Sequence, residues 1–210
     1  MIDRDFKDQL RAAYDTDANR RTTNSTKRSD WKIAARQQFA DTMKREKKRT
    51  ILEIGAGVGT DSKFFQEQGF EILATDLSPK MVEACKELGL NAQVLDIYEL
   101  DRLNQKFDAI YSLNVLLHIP PQDLAQVLAT IGDSLQPNGL FYYGVYGGTT
   151  KEETHTDPSR MNMPRYFSFL DDASLLKVIS PVFSVVSSDV VDMKGSQGTL
   201  HFQSLLLRKK

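Results

Sequence analysis

The sequence is poor in cysteine, histidine and tryptophan, and it has no long apolar run. Cys85 is the one cysteine among 210 residues. A single thiol forms no intramolecular disulfide and no Cys-x-x-Cys site. Cys85 therefore reads as a small apolar residue on a helix. There are three histidines, and no metal site is expected. Nothing approaches the run of roughly 20 apolar residues that a membrane span needs. The opening MIDRDFKDQLR lacks the apolar stretch of a secretory leader, so no membrane partner and a cytoplasmic location are expected. Neither sign of charge dominates, because the formal net charge is −1. It is unevenly spread: residues 1–49 carry a net of +6 and residues 50–210 a net of −7. A basic segment can meet an anionic partner such as nucleic acid. Here acids are interleaved with the bases, which favours a solvated helical segment.

What is present is an ordinary globular make-up, with 40% hydrophobic and 26% charged residues. That fits one domain able to bury a core without staples. Residues 3–15 place Phe6, Leu10 and Tyr14 at helical spacing. Residues 16–29 are polar and aperiodic and read as a loop. Asp30 is expected to cap a second helix that runs from Trp31 towards Met43. Residues 1–49 thus read as a helical lid or platform before a core at 50–210.

The core alternates strand and helix. Strands are expected at 50–54, 71–75, 92–95, 107–113 and 140–146. Helices are expected at 60–68, 78–88 and 122–135, with Ser78-Pro79 and Pro120-Pro121 as starts. Residues 149–168 read as a long polar connection. A helix from Asp171 to Ile179 precedes two strands, 183–191 and 199–207, joined across Gly195 and Gly198. This order implies a doubly wound, mainly parallel α/β sheet closed by a hairpin.

The informative stretch is Thr50 to Asp61. The apolar strand Ile51, Leu52, Ile54 runs into Gly55, Gly57 and Gly59 and then into a helix, which exposes a backbone edge to a nucleotide-like ligand. Dinucleotide sites show Gly-x-Gly-x-x-Gly, whereas here Thr60 stands where the last glycine belongs. Glu53 precedes the loop. A carboxylate there repels a pyrophosphate and attracts an ammonium.

With these residues in view, Glu53-Ile-Gly55-Ala56-Gly57-Val-Gly59 resembles the first motif of the class I S-adenosylmethionine-dependent methyltransferases. The resemblance covers about 150 residues. It implies a Rossmann-like sheet of seven strands in the order 3-2-1-4-5-7-6, with the last strand antiparallel. It implies S-adenosyl-L-methionine as cofactor. Asp76 matches the acid that holds the ribose hydroxyls. Leu77 and Met81 match positions bordering the adenine, and Asp96-Ile97 the pair that receives the adenine amino group. Phe107 to Ile119, including Leu113 and His118, is similar to the fourth motif and the segment after it. Leu135 to Gly139 matches less fully, because Leu140 replaces a second glycine.

Methyl transfer from a sulfonium asks the protein mainly for orientation and a dry site. A general base is needed only when the acceptor is protonated. His118, just past the fourth strand, is the candidate for acid/base work, with Asn114 beside it in the pocket. No Asn/Asp-Pro-Pro-Tyr motif occurs, which disfavours methylation of base or glutamine amino groups. The resemblance also implies an aromatic from the N-terminal region at the methionine end, which Tyr14 matches, with Trp31 a weaker match. Arg20, Arg21 and Arg28 are candidates for an anionic group. The acceptor side is expected in 146–169, with Tyr146, Arg165 and Tyr166 as substrate residues among His155, Arg160, Met161, Met163 and Phe167.

The reading is a methyltransferase acting on an O, N or C atom of a small molecule, as a monomer or homodimer. The alternatives are a tRNA or protein methyltransferase docking through the basic N-terminal segment, and a cofactor-binding regulator without turnover.

Overall fold

The computed structural model describes residues 4–24, 29–156, 163–192 and 200–210. Arg28, Arg160, Met161, Gly195 and Gly198 lie outside them. The elements in chain order are α1 (Arg4–Thr23), α2 (Asp30–Arg45), β1 (Thr50–Ile54), α3 (Thr60–Glu67), β2 (Glu71–Asp76), α4 (Pro79–Glu87), β3 (Ala92–Val94), β4 (Phe107–Leu113), α5 (Pro121–Asp133), β5 (Leu135–Gly147), β6 (Lys151–His155), β7 (Arg165–Phe169), α6 (Asp172–Ile179), β8 (Phe183–Asp192) and β9 (His201–Lys209). Single 3-10 segments follow β3 and β4.

The main sheet has the order β3-β2-β1-β4-β5-β9-β8. The strands from β3 to β5 are parallel, and β9 runs antiparallel to both neighbours. This is the expected seven-strand topology. Alternation along the strands supplies both faces. Leu52, Ile110, Phe141 and Leu207 join α5 and α6 in one apolar cluster, while Ile51, Ala109, Tyr142 and Leu206 join α2, α3 and α4 in the other.

Two expectations need correction. Residues 16–23 are helical, since α1 continues to Thr23. Local ion pairs stabilise that polar stretch: Arg20 and Arg21 both donate to Asp17, at 2.5 and 2.8 Å. Burial alone would raise the Asp17 pKa, but the two guanidinium hydrogen bonds outweigh it and hold the pKa below the usual range. Part of the supposed connection at 149–168 is a second sheet, in which β6 and β7 pair antiparallel from Lys151↔Phe169 to His155↔Arg165. β6 is largely exposed on both faces, so it carries no apolar alternation to betray it.

The first two helices differ in kind. α2 is a layer of the core. Its Phe39, Ala40 and Met43 are buried, and Phe39 meets the rings of Phe65 and Tyr111 at 5.5 and 5.3 Å. α1 instead lies across the C-terminal ends of the strands, where open α/β sheets bind their ligands.

Candidate active site

The glycine loop leaves β1 through residues that only glycine fits. Gly55 has φ +72°, and a Cβ there would fall 2.2 Å from Val115 Cγ2. Gly57 has φ +55°, yet a Cβ there would meet nothing within 4 Å. Its free side is part of a cavity of about 500 Å³. The Gly57 N–H donates to Asp76 Oδ2 at 2.8 Å, and the Ser78 N–H donates to Asp76 Oδ1 at 2.9 Å. The Asp76 carboxylate thus ties β2 to the loop and keeps further lone pairs for a ligand. Burial raises its pKa, and the two backbone N–H groups oppose that. Glu53 is buried one strand over and accepts a hydrogen bond from the Ser62 hydroxyl.

α1 fastens this edge at two points. Ser78 caps α4 by accepting from the Met81 N–H at 3.2 Å, and its hydroxyl donates to Asp15 at 2.5 Å. Lys7 donates to Asp96 Oδ2 at 2.7 Å and lies 3.7 Å from the centre of the Tyr98 ring. The acid expected to receive an adenine amino group therefore already carries a cation. Nothing in the sequence pairs residues 7 and 96. Tyr98, next to Asp96-Ile97 in the chain, is a cavity residue for which the sequence offers no signal of its own.

At the end of β4 the chain turns through Asn114, with φ +59°, into the short 3-10 segment that carries His118. The His118 ring is 4% exposed. Its Nδ1 stands 2.7 Å from the carbonyl oxygen of Tyr166, and its Nε2 stands 2.7 Å from the hydroxyl of Tyr14. A carbonyl only accepts, so Nδ1 carries the proton. Neutral Nε2 then accepts from the Tyr14 hydroxyl. Burial lowers the His118 pKa to about 4, with the charges of Arg165 and Arg21 acting in the same direction. The ring is neutral at pH 7, with its lone pair already engaged.

Beyond His118 lies the wall formed by β5 and β7. Phe167 packs 4.9 Å from the His118 ring. Tyr146 and Arg165 line the cavity with it. Arg165 is 6% exposed. Its Nε is sealed from solvent and has no hydrogen-bond partner. Tyr166 turns the other way: its hydroxyl donates to Glu152, at 2.5 Å, and its ring meets Phe6. Only its backbone reaches the site, through His118. His155 is exposed.

The cavity brings together Tyr14, Glu53, Gly55, Ala56, Gly57, Asp76, Leu77, Asp96, Ile97, Leu113, His118, Tyr146 and Arg165 from the sequence-derived set. Met81 is fully buried beneath the loop. Gly59 is the N-cap of α3. Trp31 packs against Phe202, with ring centres 4.3 Å apart and planes tilted by 46°. None of these three lines the cavity. Asn114 does, and its Oδ1 is buried without a partner. Several cations of the basic segment are internally engaged: Arg20 and Arg21 with Asp17, and Arg36 with Asp61 at 3.2 Å. Among the described residues, no helix is long and apolar enough to cross a membrane, and no group of three or more His, Cys, Asp or Glu is placed to hold a metal ion.

Comparison with known proteins agrees with this geometry. Residues 52–141 match the family described as methyltransferase domain. The ubiquinone biosynthesis O-methyltransferase of Coxiella burnetii is 26% identical over 117 residues, which is 52% of this chain and 49% of that protein. The chain spans about half the length of the curated relatives it matches. Among solved structures, the 1,6-didemethyltoxoflavin-N1-methyltransferase of Burkholderia thailandensis, with bound 1,6-didemethyltoxoflavin and S-adenosylhomocysteine, is similar with a TM-score of 0.73 and 21% identity, covering 100% of this chain and 91% of that one. The magnesium protoporphyrin IX methyltransferase of Synechocystis PCC 6803, with bound S-adenosylmethionine, is similar with a TM-score of 0.67 and 14% identity, covering 97% of each chain. The chain therefore has the fold of these solved methyltransferase structures.

Proposed function

We propose that this chain transfers a methyl group from S-adenosyl-L-methionine to an O, N or C atom of a small molecule. The observation that carries the reading is the open space at Gly57, whose N–H holds the Asp76 carboxylate, in a cavity also lined by Asn114, whose Oδ1 is buried without a partner. A polar, phosphate-free ligand with hydroxyl and ammonium donors fits such a lining of acceptors. Asp76 would hold the ribose hydroxyls and Asp96 the adenine amino group, between Leu77 and Ile97. Glu53 and Asn114 would face the ammonium. When bound, the cofactor supplies a methyl group activated on a sulfonium, open to in-line displacement.

The chain's own residues orient and dehydrate. His118 fixes Tyr14 by accepting its proton in a hydrogen bond, which leaves the phenol oxygen as an acceptor in the cavity wall. α1 covers the site, fastened by Lys7 and Asp15, while residues 50–210 form the catalytic unit. Tyr146, Arg165 and the backbone of Tyr166 stand on the acceptor side. A planar acceptor is supported by the toxoflavin and protoporphyrin enzymes, which are named for flat-ring substrates. A cytoplasmic monomer or homodimer, with a nucleic-acid partner not favoured, belongs to the same reading.

The test is transfer of a radiolabelled methyl group to cell extract, separated into small molecules, RNA and protein. Label in the small-molecule fraction is expected. Label confined to RNA or protein overturns the acceptor class.

A further inference from the structure

Among the described residues, the cavity wall holds a cation with no carboxylate paired to it. Arg165 opens β7 and is buried, yet no carboxylate among the described residues pairs with it. The acids of the surrounding elements are engaged elsewhere. Asp96 takes Lys7, Asp123 accepts from the Tyr98 hydroxyl at 2.9 Å, and Glu152 accepts from the Tyr166 hydroxyl. Other arginines that leave solvent do so with an acid: Arg36 with Asp61 and Arg208 with Glu46, at 3.2 and 2.7 Å. Burying a charge is costly unless it is paired and hydrogen-bonded. Arg36 keeps a buried, unpartnered Nε as well, but its guanidinium has Asp61; Arg165 lines the cavity with no carboxylate paired to it among the described residues, so the rest of its fork can take an acid from the cavity side.

The neighbours narrow the shape of that anion. The guanidinium carbon lies 5.3 Å from the centre of the Phe167 ring. Phe167 in turn lies parallel to Phe169, with an interplanar angle of 2°. Phe167, His118 and Tyr146 give this wall flat faces.

We propose that Arg165 binds a negatively charged group of the methyl acceptor, so that the substrates are planar aromatic or heteroaromatic acids carrying a carboxylate or a ring oxyanion. The guanidinium fork matches two such oxygens in a plane. This rests on the methyltransferase reading of the cavity and adds the charge of its substrate.

The test uses the whole chain saturated with S-adenosylhomocysteine, with benzoate and its neutral counterpart benzamide as probes in ligand-observed NMR titrations at pH 7. Benzoate is expected to bind at least tenfold more tightly than benzamide. Arg165→Met should erase that preference and leave S-adenosylhomocysteine affinity within twofold, whereas Arg165→Lys should retain part of it. Equal binding of the two probes to the unmodified protein overturns the proposal, and that comparison needs no variant to fold. A tenfold loss of S-adenosylhomocysteine affinity in Arg165→Met also overturns it, because Arg165 then serves the cofactor's carboxylate. If the unmodified protein binds no S-adenosylhomocysteine at all, the methyltransferase reading itself fails. If it binds but shows no anion preference, only the charge assignment fails.

Discussion

Gly57→Ala separates the ligand loop's two jobs, turning the chain and admitting a ligand. At φ +55° an alanine bears the left-handed backbone cost of about 1–2 kcal/mol. Its methyl meets nothing within 4 Å, so no clash is added. At about 2–4 °C per kcal/mol for a chain of this size, the melting temperature should fall by about 2–8 °C. Gly55→Ala bears the same backbone cost, and its methyl lands 2.2 Å from Val115 Cγ2. Overpacking of that kind adds about 1–3 kcal/mol, so its loss should be clearly larger. Adding Val115→Ala to Gly55→Ala should recover part of the difference. Binding should rank the opposite way per unit of stability lost. The new methyl of Gly57→Ala occupies cavity space, and S-adenosylmethionine affinity should fall at least about 30-fold, or about 2 kcal/mol. Thermal scans and isothermal titration on the two variants decide it. If Gly57→Ala keeps full affinity, or melts as low as Gly55→Ala, the assignment of open ligand space to this glycine is wrong.

Two further outcomes come from the site's electrostatics and fastening. His118 is shifted from 6.5 to about 4, so the unfolded chain binds the extra proton first and stability falls as pH drops from 6.5 towards 4. The shift corresponds to at most about 3 kcal/mol. Urea titrations at pH 7 and pH 5 should therefore show a steeper loss for the unmodified protein than for His118→Gln; equal slopes would contradict a buried neutral imidazole. Lys7→Met breaks a half-buried ion pair worth about 1 kcal/mol and should speed amide exchange along α1 with little change in β1 or β4. Unchanged exchange in α1 would show that Lys7 is not a fastening.

The fold was legible because its signals are local and repeated. Apolar runs set the strands, Ser78-Pro79 and Pro120-Pro121 set helix starts, and three glycines at fixed spacing set the ligand loop. The sheet order came with the family resemblance and agrees with the observed order. β6 stayed hidden because a solvated strand has no apolar period, and residues 16–23 because Asp17 fixes them through side-chain pairs three and four residues away. Tyr14, Asp76 and His118 came as candidates with the family resemblance, and all three line the cavity. Their partners were not legible. The contacts of Tyr14 with His118 and of Lys7 with Asp96 join positions 104 and 89 residues apart, and no sequence period links them. Tyr166 shows the limit from the other side: a tyrosine chosen for its ring serves the site through its carbonyl oxygen.

The proposed activity stands or falls on whether the cavity at the glycine loop binds S-adenosylmethionine through the acid that ends β2. Isothermal titration of the purified chain with S-adenosylmethionine, beside Asp76→Ala, is the decisive measurement. A dissociation constant in the micromolar range is expected, weakened at least tenfold in the variant. No binding to the unmodified chain, or equal affinity in both, would contradict it.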